Sequence, residues 1–224
     1  MKVSDAVTAR RSVRGFLERP VDPDLIRRLV ALAARAPSGG NLQPWHIDVV
    51  GGAPLDAFKR EIAARITAGH TEAPAYAIYP PQLDDPYRTR RFEVGEALYG
   101  HVGIPRDDRS ARREWFKRNF AFFGATVALF CTVKRTMGPP QWSDLGMYLQ
   151  TLMLLLVEEG LASCPQECWA IYPETVTEFL GTPPDRMLFC GMAIGYEDKS
   201  VPANELRTVR APIEEWTNFR LDDA

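Results

Sequence analysis

The sequence predicts one globular domain that contains both α-helices and β-strands, and three observations support this prediction. The chain has 224 residues, the size of a single domain. Hydrophobic residues make up 46% of it and charged residues 25%, which excludes the disordered, collagen-like and coiled-coil classes. Two nearly continuous apolar runs of strand length, over 126–133 and 187–194, are accompanied by helical patterns. The net charge of −2 gives no general electrostatic case for binding nucleic acid or an anionic membrane.

The first third of the chain predicts two helices, a loop, a strand and a third helix. A short helical pattern begins at Ser4. In the second helix, Asp22 can accept hydrogen bonds from the N–H groups of the first turn, and Pro23 suits the first helical position. Glycine and proline mark the remaining boundaries: a loop over 37–40, a short strand over 45–50 and a helix over about 55–67.

The rest of the chain predicts a central pair of strands. Residues 69–109 are rich in proline and charge, and they predict an irregular or helical excursion. The two apolar runs are typical of strands covered on both faces, so we expect them at the centre of the sheet. Between them we predict an apolar helix over about 143–159, ended by Gly160, and a shorter helix after Pro173. The sequence contains no internal repeat and no second domain boundary.

Composition and segment lengths predict a cytoplasmic protein. The N-terminal residues contain no apolar stretch that could form the core of a signal peptide. The longest apolar run, over 145–157, is shorter than the ~20 residues of a membrane span and predicts a buried helix. The cysteines lack the density of a disulfide framework, which favours a reducing compartment: Cys131, Cys164, Cys168 and Cys190.

A cluster of arginines near the N-terminus is the first candidate binding motif. Residues 10–14 read RRSVR, and three guanidinium groups beside a hydroxyl are strong donors for phosphate oxygens. Arg207 and Arg210 form a second donor group late in the chain. The alternative is that both groups are solvated surface patches, and the arginines alone do not decide between the two interpretations.

The second candidate motif is the loop APSGGNLQPW over residues 36–45. Its glycines allow a ligand to approach the backbone, and its prolines stiffen the chain. Its neutral hydrogen-bonding side chains suit a polar heterocycle: Ser38, Asn41 and Gln43. The alternative is a plain connection between a helix and a strand.

Motifs of other enzyme classes are absent from the sequence. Cys164 and Cys168 are separated by three residues, and no second cluster of cysteine or histidine accompanies them. Zinc sites usually supply four ligands, so we predict no metal site. The sequence also lacks a P-loop, an HExxH motif and the dinucleotide fingerprint GxGxxG.

Taken together, the two candidate motifs resemble those of the FMN-dependent nitroreductase family. ARRSVRGF is followed about twenty residues later by APSGGNLQPWH. Three later segments are similar to the family's interface helix with its flavin-edge loop, its last core strand and its phosphate-binding tail: QWSDLGMYLQTLMLLLVEEGLASCPQECWA, LFCGMAIGY and LRTVRAP. Within the family, the chain resembles nitroaryl and nitrobenzoate reductases. Residues 69–118 carry no family motif and correspond to the region where the family varies its substrate lid.

The resemblance implies an α+β fold for a single FMN-binding domain over residues 1–224. The central sheet is expected to be mixed, mainly antiparallel and flanked by helices. The resemblance also implies an intertwined homodimer that binds FMN at the subunit interface. An extended C-terminal segment that includes residues 212–219 is expected to be exchanged between the subunits.

The resemblance assigns most site residues to the cofactor. The phosphate group is expected near six of them: Arg10, Arg11, Ser12, Arg14, Arg207 and Arg210. The role of Arg207 is open, because many relatives have a lysine where this chain has Thr208. The partner subunit's loop is expected over the flavin ring with five residues: Pro37, Ser38, Gly39, Asn41 and Gln43.

The other edges of the flavin ring are assigned to the middle of the chain. A loop is expected to run past flavin N5 and to donate a backbone N–H to it: Pro165, Gln166, Glu167 and Cys168. Asn119 is expected on the pyrimidine edge. Phe122 and Phe123 are expected either to line a substrate pocket or to be ordinary core aromatics.

The implied function is an oxidoreductase that uses NADPH or NADH in a ping-pong cycle to reduce nitroaromatic compounds, nitrobenzoates among them, to hydroxylamines. No protein side chain is expected to be catalytic, because the flavin carries the redox chemistry and the protein binds and orients it. One alternative is a flavin reductase of the same fold that acts on quinones, enones or halogenated aromatics. The others are a non-catalytic protein that binds or stores flavin and a flavin-free interaction module.

Overall fold

The computed structural model describes residues 1–221 and is built around a four-stranded sheet. Its strands lie in the order β1-β2-β4-β3 and are β1 (His46–Gly51), β2 (Val127–Lys134), β3 (Ala162–Gln166) and β4 (Arg186–Gly195). All three pairings are antiparallel, and β2 and β4 form the centre, with Val127 opposite Ile194. The prediction of two central strands is therefore confirmed.

Helices and short 3-10 turns cover both faces of the sheet. The helices are α1 (Val3–Ala9), α2 (Pro23–Ala33), α3 (Gly52–Thr67), α4 (Tyr87–His101), α5 (Arg109–Lys117), α6 (Pro139–Glu158) and α7 (Pro173–Leu180). The 3-10 turns are Gly39–Asn41, Arg118–Gly124, Glu167–Ile171, Pro202–Glu205 and Ile213–Glu215. None of the helices within residues 1–221 is long and apolar enough to cross a membrane.

The predicted helix starts are partly confirmed. Asp22 accepts a hydrogen bond from the backbone N–H of Asp24 at 2.9 Å and begins α2 as expected. At α1 it is Asp5, and not Ser4, that completes the first turn, since its carboxylate accepts from the N–H of Lys2 at 3.1 Å. Helix α6 begins four residues before the predicted residue 143, because two prolines occupy its first turn.

The sequence predicted a loop over residues 165–168, and the structure has regular elements there instead. Pro165 and Gln166 are the last two residues of β3, and Glu167 and Cys168 begin the following 3-10 turn. The strand has the sequence ASCPQ, which lacks alternating hydrophobicity and contains a proline. Within residues 1–221 the four strands pair antiparallel, and one isolated parallel bridge joins Ser12 to Ser163 of β3.

The sheet separates two hydrophobic cores. Along β2, Leu129 and Cys131 contact the core that α2 and α6 cover, whereas Ala128 and Phe130 contact the core that α3 covers. Successive side chains of a strand point to opposite faces, so a strand buried on both faces has an almost continuous apolar sequence. The second core is rich in aromatic rings, with Trp169 at its centre.

The excursion over residues 69–118 forms two helices, α4 and α5. No residue of α4 is fully buried, and its last residue, His101, lies 4.0 Å from the carboxylate of Glu205. Helix α5 buries Trp115, whose ring packs against Tyr99 of α4 with centroids 5.9 Å apart. The two helices thus form one wall above the C-terminal segment.

Candidate active site

A cleft of about 1230 Å³ lies between the end of α1, helices α4 and α5, and the C-terminal segment. Seven predicted cofactor residues from three separate parts of the chain line it: Arg10, Arg11, Ser12, Arg14, Asn119, Arg207 and Arg210. The structure therefore brings together the two arginine groups that the sequence singled out. This convergence argues against two independent surface patches.

The first arginine segment is fixed as an extended chain beside β3. The backbone N–H of Val13 donates to the carbonyl of Ser163 at 3.0 Å, and the N–H of Arg14 donates to Oδ1 of Asn204 at 2.7 Å. Side chains alternate along an extended chain, so Val13 is buried while its neighbours Ser12 and Arg14 face the cleft. A Cβ at Gly15 would lie 2.5–2.7 Å from the side chain of Val201, and this close approach requires glycine.

Arg10 and Arg210 are close enough to influence each other. The pKa of Arg10 is lowered from its ordinary value, first by burial and second by the positive charge of Arg210. Neither guanidinium has a carboxylate within 4.0 Å among the described residues. Since the two cations repel each other, an anion placed between them gains from both charges. The donor set suits a phosphate group.

Arg11 differs from its neighbours because it has an acidic partner. Its guanidinium forms an ion pair with Glu197 and donates through Nε to the carbonyl of Asn204 at 3.2 Å. The guanidinium of Arg207 donates to the same carbonyl at 2.8 Å. Arg11 thus fastens the C-terminal segment to the first arginine segment, while Arg207 folds back on its own segment. Arg10 and Arg14 line the cleft and have no carboxylate within 4.0 Å among residues 1–221.

The end of β3 reaches the cleft through Asn119. The side-chain amide of Gln166 donates to the backbone carbonyl of Asn119 at 2.8 Å and to its Oδ1 at 3.3 Å. The Asn119 amide in turn donates to the carbonyl of Phe116 at 2.8 Å. Gln166 itself is buried and does not line the cleft, so its role there is to hold Asn119.

The acidic and sulfur-containing groups of this region are desolvated. Glu167 is exposed as a residue, and partial desolvation of its carboxyl raises the pKa of that group. Burial also raises the pKa of the Cys168 thiol. For Cys164, burial raises the pKa of the thiol while the charges of Arg14 and Arg10 lower it, which places this residue behind the arginine segment. At neutral pH these thiols are protonated and serve as packing groups.

The predicted loop over residues 37–43 does not line the cleft of its own chain. The backbone N–H of Gly39 donates to both carboxylate oxygens of Asp144 at 3.3 Å, and the N–H of Gln43 donates to Oγ of Ser38 at 3.0 Å. Asn41 and Gln43 have positive φ angles of 56° and 49°. Buried Asp144 thus holds a fixed loop whose polar side chains are exposed.

The structure supports the core alternative for Phe122 and Phe123, and the expectation that they line a substrate pocket is corrected. Their exposed fractions are 0% and 2%, and the ring of Phe122 stacks on Trp169 with centroids 4.9 Å apart. Both residues have positive φ angles, of 52° and 54°. This tight backbone turn directs both rings into the second core.

The sequence analysis missed the aromatic and charged wall that α4 and α5 contribute. One face of α4 lines the cleft with Arg88, Arg91, Phe92, Gly95, Glu96 and Tyr99. Helix α5 adds Arg112, Trp115 and Phe116. The residues of this face recur every three or four positions along α4, and this spacing could have identified the face from the sequence. The face mixes polar and apolar side chains, so it produces no clear hydrophobic periodicity.

An ion pair joins the two helices of this wall. Arg112 donates to both carboxylate oxygens of Glu96, at 2.6 and 3.2 Å. These hydrogen bonds lower the pKa of Glu96 and raise that of Arg112. Within residues 1–221, Glu96 is the one carboxylate that lines the cleft, and both of its oxygens accept hydrogen bonds from Arg112.

Comparisons with known proteins agree with this arrangement. A model of the nitroreductase family matches residues 7–196. The chain is 37% identical to the 4-nitrobenzoate reductase of Pseudomonas putida, over 96% of this chain and 94% of that protein. It is 34% identical to the nitrobenzene nitroreductase of Ectopseudomonas oleovorans, over 97% and 96%. The solved structure of the FMN and NADPH-dependent nitroreductase NfnB from sphigopyxis sp. strain HMH is 50% identical with a TM-score of 0.95, over 99% of this chain and 100% of that one.

Proposed function

The chain belongs to the nitroreductase family, and on this premise we propose that it is an FMN-dependent oxidoreductase that uses NADPH or NADH to reduce nitroaromatic compounds. The α+β fold expected from the sequence is confirmed by the sheet and by the structural likeness to the family. The observation that carries the proposal is the meeting of Arg10 and Arg14 with Arg207 and Arg210 in one cleft.

The cleft fits FMN in charge and in size. A phosphate group suits Arg10 and Arg210, whose positive charges lie near each other without an acidic partner among the described residues. The hydroxyl of Ser12 and the guanidinium of Arg14 would complete its donor set. A volume of about 1230 Å³ exceeds that of most small-ligand pockets, and it accommodates a three-ring heterocycle together with an aromatic substrate.

The chain's own residues bind and orient rather than transfer protons. When bound, FMN supplies the two-electron chemistry between the nicotinamide and the nitro group. Glu96, the carboxylate facing the cleft in the described part of the chain, is held by Arg112 and is a poor proton donor. Tyr99 and Phe116 offer apolar surface for aromatic rings and exclude water from the same space. No side chain is assigned a catalytic role.

The proposal includes a homodimer in which each loop over residues 37–43 lies over the partner's cofactor. The loop is exposed and does not line its own cleft, which supports a role in the other subunit. Exposed apolar side chains on the C-terminal segment support its exchange between subunits: Trp216 is 66% exposed and Leu221 is 79% exposed. A cytoplasmic location is proposed because the cysteines are unbridged thiols.

The test is the visible absorption spectrum of the purified protein before and after anaerobic addition of NADPH, followed by 4-nitrobenzoate. We expect the flavin bands to bleach with NADPH and to recover with the nitroarene. We expect turnover with two equivalents of NADPH per nitroarene to yield the hydroxylamine. If neither NADPH nor NADH reduces the bound flavin, the proposed enzyme activity is rejected in favour of a protein that stores flavin. A spectrum still blank after FMN is supplied would overturn the cofactor assignment, and faster turnover of a quinone or an enone than of any nitroarene would change the substrate class.

A further inference from the structure

The N-terminal half of α4 presents a second cationic group to the cleft. Arg88 and Arg91 are three residues apart, and both line the cleft together with Phe92 and Tyr99. Residues spaced by three, four and seven or eight positions share one face of a helix. Two guanidinium groups and two aromatic rings therefore form one surface of the substrate space.

Of the three arginines that α4 and α5 contribute to the cleft, Arg91 is the one without an acidic partner among the described residues. Arg88 is paired with Asp85 at 2.5 Å, and Arg112 is paired with Glu96. Within residues 1–221, no carboxylate lies within 4.0 Å of Arg91, and its guanidinium lies instead 4.0 Å from the ring centre of Tyr79. Stacking on an aromatic face leaves the N–H groups at the edge of the guanidinium free to bind an anion.

The FMN phosphate does not account for Arg91. His101, at the end of α4, lies 4.0 Å from Glu205, which directly precedes the segment that carries Arg207. Arg91 lies ten positions before His101 in the same helix, which corresponds to about 15 Å along its axis. Asn204, which accepts from the N–H of the phosphate donor Arg14, directly precedes Glu205. The segment of Arg14 therefore meets α4 near His101 and not near Arg91.

We propose that Arg91 binds a carboxylate on the nitroaromatic substrate, so that the enzyme prefers nitrobenzoates to uncharged nitroarenes. This inference rests on the proposed function. The two relatives compared above are named for one substrate of each kind, so family membership leaves the choice open. The lining of the cleft favours the charged substrate: arginines are its main charged groups, Glu96 is paired with Arg112, and the free guanidinium of Arg91 is held on the ring of Tyr79.

The 2′-phosphate of NADPH is a second anion that a free arginine could bind. Both groups present several oxygens to the planar donor set of a guanidinium. They act in different half-reactions, because the nicotinamide donates electrons in the first and the nitroarene accepts them in the second. Rates measured separately for the two half-reactions therefore distinguish the two anions.

The experiment compares 4-nitrobenzoate with the uncharged 4-nitrotoluene, using the FMN-loaded wild type, Arg91→Gln, Arg91→Lys and the control Arg113→Gln. Arg113 is exposed on α5 and does not line the cleft. We expect the wild type to favour the benzoate in kcat/KM by about tenfold or more, the value of one charge-assisted contact. Arg91→Gln should remove most of this preference through KM, with 4-nitrotoluene unchanged, and Arg91→Lys should restore part of it.

Three outcomes would overturn the inference. The first is a wild type without preference for the benzoate. The second is an Arg91→Gln variant that retains this preference. The third is an Arg91→Gln variant that loses only its preference for NADPH over NADH in the reductive half-reaction, which would assign the arginine to the 2′-phosphate.

A separate binding measurement distinguishes failure of the proposed function from failure of the carboxylate site. If neither nitroarene is reduced, the binding of both compounds to the oxidised holoenzyme is measured by the shift of the flavin spectrum. Selective binding of the benzoate that Arg91→Gln abolishes would support the carboxylate site even then. Equal binding of both compounds to the wild type would reject it.

Discussion

The side-chain oxygen of Asn204 accepts a hydrogen bond from the backbone N–H of Arg14 at 2.7 Å, although 190 positions separate the two residues. The amide nitrogen of Asn204 donates to the carbonyls of Gly15 at 2.9 Å and Asp198 at 2.8 Å. Its own carbonyl accepts from Arg11 and Arg207. This buried residue therefore joins the two arginine segments whose meeting creates the cleft.

Asn204→Ala is expected to weaken both the fold and FMN binding. The change leaves the backbone N–H of Arg14 without its partner and removes one of the two hydrogen bonds that each carbonyl of Gly15 and Asp198 accepts, which costs about 1–3 kcal/mol. FMN affinity should fall by more than about tenfold, since the phosphate donors lose their fixed positions. Thermal unfolding of the apoprotein and titration with FMN measure the two effects. Arg60→Ala, at an exposed position of α3, is the control. Unchanged FMN affinity in Asn204→Ala would contradict the positioning role.

Arg10 and Arg11 are adjacent in sequence but should respond oppositely to substitution by glutamine. Arg10 is repelled by Arg210 and has no carboxylate partner within residues 1–221, so Arg10→Gln should leave the apoprotein as stable as before while weakening FMN binding about tenfold or more. Arg11→Gln should instead lower the melting temperature, because Glu197 loses its partner. Melting curves with and without FMN provide the measurement. Equal losses of apoprotein stability in both variants would reject this division of roles.

The sequence singled out those parts of the proposed site that are local and dense. RRSVR over residues 10–14 and the loop over residues 36–45 concentrate donors or glycines within a few positions, and such motifs can be recognised without knowledge of the fold. Asn204 carries no such signal. Its partners are set by how the C-terminal segment packs against the first arginine segment, and no local pattern encodes that contact.

The same distinction explains the fold. Strands β2 and β4 were predictable because burial on both faces makes their sequences almost continuously apolar. Strand β3 was missed because its short sequence contains a serine and a proline and is held by pairing with β4. Helix α4 was not delimited because none of its residues is fully buried, so its cleft-facing side has no hydrophobic periodicity.

Asp144 is expected to control the mobility of the loop over residues 37–43. Its carboxylate is buried and accepts from the N–H of Gly39, so Asp144→Ala removes the link between this loop and α6. Amide hydrogen exchange at Gly39 should become at least about tenfold faster, and stability should fall by about 1.5–3 kcal/mol. Asp144→Asn keeps an acceptor oxygen and should show a smaller change. Unaltered exchange at Gly39 in Asp144→Ala would show that the loop is held by other contacts.

Glu167 should make stability depend on pH. Burial raises the pKa of its carboxyl above the ordinary value of 4.5, so the ionised form is disfavoured in the folded state. Its contribution is most favourable below the ordinary pKa and is lost as the pH rises through the raised folded-state pKa. Glu167→Gln should therefore melt at a higher temperature than the wild type at pH 7, with the difference disappearing near pH 4. Melting curves of the apoprotein across this range, with Glu18→Gln, at an exposed position outside the C-terminal segment, as control, test the sign. A Glu167→Gln variant that is less stable than the wild type at pH 7 would show that the ionised carboxylate stabilises the fold, contrary to this prediction.

Gly191 allows the central strand β4 to pass beneath Trp169, and alanine at this position is expected to destabilise the fold. A Cβ would lie 2.9 Å from Nε1 of Trp169 and closer still to Cδ1. The indole is fully buried and packed against Phe122 and Phe130, so it has no room to move away. Overpacking of this kind costs about 1–3 kcal/mol. The matched control is Gly100→Ala in α4, where no atom lies within 4 Å of the added Cβ and helix propensity predicts a gain of about 0.5–1 kcal/mol. Denaturant unfolding of both variants measures the contrast, and a Gly191→Ala protein as stable as the wild type would show that the aromatic core yields more readily than its packing indicates.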